Sequence, residues 1–210
     1  MRHLWKNTLR VGLTGLALVI VAVTGYQVME PRSAPETEDN YTRSRANYQI
    51  PNVVLQNSEQ KPVALQQLLA GDRPVLVQFI FTSCQTVCPL LTATMAQAQK
   101  DLRSLRGDTR IVSISIDPEQ DTPARMARYA TQFEAQGDWT FLTGSRKQVW
   151  EVLSAFDAVY SGGNKMNHKP YTFVRLPREN AWLRLVGNLS ANQLVREYQS
   201  LLTQGFADGA

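Results

Sequence analysis

Apolar positions along this chain change their period several times, and each change marks an element. Val75–Phe81 is apolar except for Gln78 and rich in Val, Ile and Phe. A run without polar alternation reads as a strand buried on both faces. Past it, Leu91, Met95, Ala98 and Leu102 recur at helical spacing, which predicts a helix over Leu90–Leu105. Ile111–Ile116 is a second buried run. Thr122 as N-cap with Pro123 behind it starts a helix to about Phe133. Phe141–Thr143 reads as a short strand, and Ser145 caps a helix over Arg146–Phe156. Tyr171–Leu176 and Trp182–Val186 have the spacing of a hairpin, and Ser190 caps a last helix to about Leu202. Upstream, Ile50–Leu55 and Lys61–Leu65 are strand-like, Gln56–Gln60 supplies turn chemistry between them, and Leu65–Leu69 suggests a helical turn.

Strand, helix, strand, helix, then hairpin and helix is a thioredoxin-type order. The expected fold is α/β and thioredoxin-like, a central mixed sheet flanked by helices. Parallel strands joined by crossover helices bring the helix starts to one edge of the sheet, where ligands bind. The loop Asp117–Pro123 and the segment after Phe81 share that edge.

The N-terminus has a different pattern. Met1–Arg10 is basic, and Val11–Val28 carries no charge. That length is near the roughly 17–25 residues a helix needs to cross a bilayer. Trp5 and Tyr26 fall where interfacial aromatics sit, and acids follow at Glu30, Glu36, Glu38 and Asp39. The expectation is a cytoplasmic basic segment at 1–10, a transmembrane anchor at 11–28, a flexible tether at 29–47 and a folded domain at 48–210. A cleaved signal peptide is the competing reading, and either exports the domain. The formal net charge of +4 owes most of its excess to Arg2, Lys6 and Arg10. Without a basic stripe, the chain does not advertise a nucleic-acid surface.

The only two cysteines, Cys84 and Cys88, lie between the central strand and the long helix. A helix N-terminus favours thiolates there, and i, i+4 spacing within one helical turn puts both sulfurs on one face. Two such sulfurs form a disulfide, structural or redox-active, or bind a soft or borderline metal such as Cu(I) or Zn. A two-sulfur site leaves a metal short of ligands. The chain has two imidazoles, His3 and His168, and only His168 falls in the domain. It lies in the polar, Gly-rich loop Ser161–Pro170 ahead of a strand. A lone loop histidine is commonly just solvated; with two thiolates it would complete a three-coordinate copper site. Met166 offers a further soft donor. Asp117 and Asp121 read either as residues that tune this edge or as helix-capping and turn residues.

These segments resemble the Sco/SenC family. Phe81-Thr82-Ser83-Cys84-Gln85-Thr86-Val87-Cys88-Pro89 matches its phenylalanine-threonine-x-cysteine-x-x-valine-cysteine-proline stretch. Ser113–Asp117 with Pro118–Pro123 resembles its serine-valine-aspartate-proline segment ending in aspartate-threonine-proline. His168 falls at the place of the family's third copper ligand. The chain departs from the family at Gln85, where proline is usual, and at Asn167, where aspartate is usual. Pro170 resembles the cis-proline beside thioredoxin cysteines. The resemblance implies an exported, single-pass protein of the cell inner membrane whose domain faces the periplasm. It implies copper held by Cys84, Cys88 and His168 and passed to the copper-receiving subunit of a respiratory oxidase. Another copper chaperone or a thiol reductase would be a further partner. The alternative activity is thiol–disulfide exchange at Cys84 and Cys88, reducing the cysteines of a copper-receiving partner. A peroxiredoxin-like peroxide reductase is a third class.

Overall fold

The computed structural model describes residues 40–105 and 108–204. The expected membrane span, the basic segment and residues 29–39 of the tether lie outside these. Among the described residues no helix is long and apolar enough to cross a membrane.

Eight strands form one mixed sheet. They are β1 (Tyr41–Asn47), β2 (Val54–Asn57), β3 (Pro62–Ala64), β4 (Val75–Ile80), β5 (Arg110–Ser115), β6 (Trp139–Thr143), β7 (Tyr171–Arg175) and β8 (Ala181–Gly187). Their spatial order is β1-β8-β7-β4-β5-β6-β2-β3. The run β4-β5-β6 is parallel, with Phe79 opposite Ile114 and Ile114 opposite Leu142. β7 and β8 form the expected antiparallel hairpin, and β7 continues antiparallel onto β4. All six residues of β4 are buried, as a strand covered on both faces requires.

Among the described residues the α-helices are α1 (Leu65–Leu69), α2 (Val87–Leu105), α3 (Pro123–Gln132), α4 (Arg146–Ala155) and α5 (Ala191–Gln204), and the last three start at the capping residues the sequence offered. The Arg125 N–H donates to the Thr122 hydroxyl at 3.3 Å at the start of α3. Ser145 and Gln148 form a full capping box on α4. Ser190 and Gln193 make the same exchange ahead of α5. α2 buries Leu91, Met95, Ala98 and Leu102, the stripe its sequence announced, and packs on α5.

An aromatic cluster fills the core beside β4. Phe156 lies 5.6 Å from Phe79, 5.0 Å from Phe173 and 5.3 Å from Trp182, all edge-on. Such contacts add about 0.5–1.5 kcal/mol per pair beyond the area they bury.

The tether reading fails at its C-terminal end. Tyr41–Asn47 is an edge strand paired along its whole length with β8. Its sequence, Tyr-Thr-Arg-Ser-Arg-Ala-Asn, has no apolar alternation because its side chains face largely outward. Backbone pairing holds it, and its arginines are typical of a protected edge. The Tyr41 hydroxyl donates to Glu197 at 2.7 Å, and Arg43 pairs with the same carboxylate. Gly187, at φ +137°, permits the approach: a Cβ there would meet the Asn40 carbonyl at 2.3 Å. The folded domain therefore begins by Tyr41 and not at Tyr48.

A fragment starting at Tyr48 should be less stable than one starting at Asn40. The expected loss is roughly 2 kcal/mol or more, from several hydrogen bonds each worth about 0.5–1.5 kcal/mol. Urea unfolding of the two fragments measures it, and equal midpoints would show that β1 adds nothing.

Candidate functional site

β4 ends at Ile80, and its continuation Phe81 is still fully buried. The chain then turns, with the Cys84 N–H donating to the Phe81 carbonyl at 3.1 Å. α2 begins at Val87, so Cys88 lies in its first turn while Cys84 lies ahead of it. The two cysteines do not share a helical turn. The helix start is aimed at Cys84: the Cys88 N–H donates to its sulfur at 3.4 Å. The Thr86 hydroxyl is 3.7 Å from the same sulfur. Both cysteines are free thiols and buried.

The two thiols differ. Burial pushes the Cys84 thiol up, but N–H groups of Cys88 and Thr86, with the Cys88 thiol and Thr86 hydroxyl, outweigh it and lower its pKa. Burial dominates at Cys88 and pushes its pKa far up; the neighbouring Cys84 and Asp121 add to the effect, against a backbone N–H from Phe81. One thiol is prepared to ionise and its neighbour to keep its proton.

His168 sits on the same side of the core. It is 5% exposed, so the solvated-loop alternative does not hold. Its ring lies 6.5 Å from Phe79 and 5.7 Å from Tyr171, edge-on to both. Neither nitrogen has a hydrogen-bond partner. Burial lowers its pKa from 6.5 to about 4, so the ring is neutral at pH 7. The loop before it makes two short 3-10 turns, Ser161–Gly163 and Lys165–Asn167, with Gly162 and Gly163 at positive φ. The Asn167 amide donates to the Ser161 carbonyl at 3.0 Å and closes the loop. Met166 points to solvent, 58% exposed. No peptide bond among the described residues is cis, Lys169–Pro170 included.

Lys165 connects the parts. Its ammonium pairs with Asp117 after β5 and lies 5.4 Å from the Phe81 ring centre. The histidine loop, the cysteine segment and the β5–α3 loop thus meet at the carboxyl edge of β4 and β5. Among the described residues, however, no three His, Cys, Asp or Glu side chains are gathered where they could hold a metal ion. His168 is turned into an aromatic pocket, where ring packing and loop hydrogen bonds keep it. Thr122, not Asp121, caps α3. The clamp that Asp121 makes with Thr82 and the Lys165 link went unread, because neither leaves a periodic or local signal.

A dithiol at a strand-to-helix junction, off the carboxyl end of a central strand in a mixed sheet, defines a thioredoxin-like protein. Residues 43–203 match the SCO1/SenC family model, and the chain belongs to that family. It is 35% identical over 153 residues to the SCO1 protein homolog of Bacillus subtilis, covering 70% of this chain and 71% of that protein. Its fold superposes on BsSco, a member of the Sco family of cytochrome c oxidase assembly proteins in which a disulfide switch was identified. The TM-score is 0.63 at 29% identity, over 77% of this chain and 98% of that one. Arabidopsis thaliana ScoI, solved with copper bound, shares the fold at TM-score 0.61 and 23% identity, over 72% of this chain and 96% of that one.

Two measurements follow from this geometry. In the reduced chain at pH 7.5, iodoacetamide should modify Cys84 several-fold faster than Cys88, read by peptide mass spectrometry; equal rates would remove the asymmetry. His168, kept neutral in the fold, is protonated first in the unfolded chain. Its contribution to stability is complete above about pH 6.5 and is lost as pH falls toward 4. The full effect is about 3 kcal/mol. Urea unfolding at pH 7 and pH 5 should show the decline, and His168→Phe should flatten it.

Proposed function

We propose that this chain is a membrane-tethered copper metallochaperone that supplies a respiratory oxidase. Copper is its cargo, taken on the reduced Cys84–Cys88 pair with His168 as third ligand. The observation that carries this reading is the buried imidazole with both nitrogens unpartnered, in a loop that Lys165 ties to the dithiol segment. A buried polar ring without a hydrogen bond is costly, and a metal that accepts nitrogen donors relieves that cost. Two thiolates and one neutral imidazole suit copper. Family membership supports the same reading, since relatives include oxidase assembly proteins and a copper-bound form. Because the three donors are not gathered beforehand, the 161–170 loop must rearrange for His168 to join the sulfurs. Residues 11–28 anchor the chain in the inner membrane, with the domain on the periplasmic side.

One observation favours a second reading. The low-pKa Cys84 beside a high-pKa Cys88 suits thiol–disulfide exchange, in which Cys84 attacks a partner's disulfide and Cys88 then resolves the mixed disulfide. The partner gains two thiols as this chain closes its own disulfide, and the electrons balance. Such a reductase would keep a copper-receiving partner's cysteines able to bind metal.

Anaerobic titration of the reduced chain with Cu(I) against a competing chelator separates the two. One tight equivalent is expected. Cys84→Ser and His168→Ala should each weaken it by at least the roughly 10–100-fold that losing an outer partner costs a metal site. Tight binding indifferent to His168 would remove that ligand. Absence of tight binding, with a readily cycling disulfide, would leave the reductase.

A further inference from the structure

Asp121 is completely buried at the end of the β5–α3 loop. Its carboxylate accepts the Thr82 N–H at 3.1–3.2 Å, the Thr82 hydroxyl at 2.5 Å and the Ser115 hydroxyl at 2.6 Å. Ser115 in turn accepts the Asp117 N–H at 3.0 Å, and the Asp121 N–H donates to the Asp117 carbonyl at 2.8 Å. The carboxylate therefore joins the end of β5, its following loop and the segment after β4. Three donors for one buried carboxylate are more than a turn needs, and charge-assisted bonds of this kind are strong and directional. α3 has its own cap in Thr122, so capping does not account for Asp121.

What Asp121 holds is the peptide that aligns both thiols. Thr82 stands two residues before Cys84. Phe81, next to it, accepts the Cys84 N–H through its carbonyl, and the Cys88 N–H in turn donates to the Cys84 sulfur. We propose that Asp121, acting through Thr82, is the positioning residue of the Cys84–Cys88 dithiol and sets how readily the pair closes to a disulfide. Its side-chain hydrogen bonds go to Thr82 and Ser115 and not to a sulfur, although its charge raises the Cys88 pKa. A clamped segment keeps the two thiols at high effective concentration, which favours the disulfide. A released segment lets them part and favours the dithiol. The inference rests on Cys84 and Cys88 being the working site, but not on copper.

The test uses the full chain in mild detergent, free of metal, equilibrated with dithiothreitol. Two electrons and two protons pass from the reagent's thiols to the Cys84–Cys88 disulfide, and the reagent closes to its cyclic disulfide. Asp121→Asn and Thr82→Val should each shift this equilibrium toward the reduced chain by about threefold or more, where tenfold corresponds to 29.6 mV. Thr82→Ser retains the hydroxyl donor and should behave as the parent chain. If Asp121→Asn does not fold, the Val and Ser variants at Thr82 settle the matter. Lower melting temperatures with an unchanged equilibrium constant would make Asp121 a structural residue only and overturn the proposal. Because the readout contains no copper, a chain that binds no copper would sink the metallochaperone reading and leave this one standing.

Discussion

β4 must be buried on both faces, and much of the molecule follows from that requirement. Its six residues, Val75–Ile80, include no charge, and Gln78 is satisfied on its amide side by the Ser113 hydroxyl at 2.7 Å. A strand of this kind is stable only inside a sheet with cover on both sides. β5 and β7 flank it, one parallel and one antiparallel, and the cluster of Phe79, Phe156, Phe173 and Trp182 fills the space beside it. The chain can leave such a strand only at its end. There it turns through Phe81 and Thr82 into the cysteine segment, so the dithiol inherits its place from the rigidity of the core.

The same burial shapes the chemistry of the edge. The thiols and the imidazole lie close enough to apolar side chains that desolvation is the largest influence on each. What distinguishes them is the supply of hydrogen bonds. Cys84 receives the N–H groups of a helix start and becomes the easier thiol to ionise, while Cys88, inside the first turn, does not. His168 receives none and stays neutral. Polar groups in low dielectric are sensitive to one partner more or less. Asp121 holds Thr82, and Lys165 ties the histidine loop to Asp117, at this same edge.

Much of this was written in the one-dimensional pattern. The apolar run of β4, the helical stripe of α2, the Ser and Thr caps and the paired cysteines are local signals, because each follows from the period or the chemistry of neighbouring residues. Together they determined the α/β order and the position of Cys84 and Cys88 at a strand-to-helix junction, and the motif around them pointed to the family. Three things came only from the tertiary structure. β1 has a polar sequence and exists because β8 offers an unpaired backbone edge. His168 occupies an aromatic pocket in place of solvent because Phe79 and Tyr171, distant in one case and adjacent in the other, close around it. The Asp121–Thr82 clamp spans residues 39 apart in the chain. Hydrogen bonds and ring contacts between distant segments carry no period, so no reading of neighbours along the sequence can reveal them.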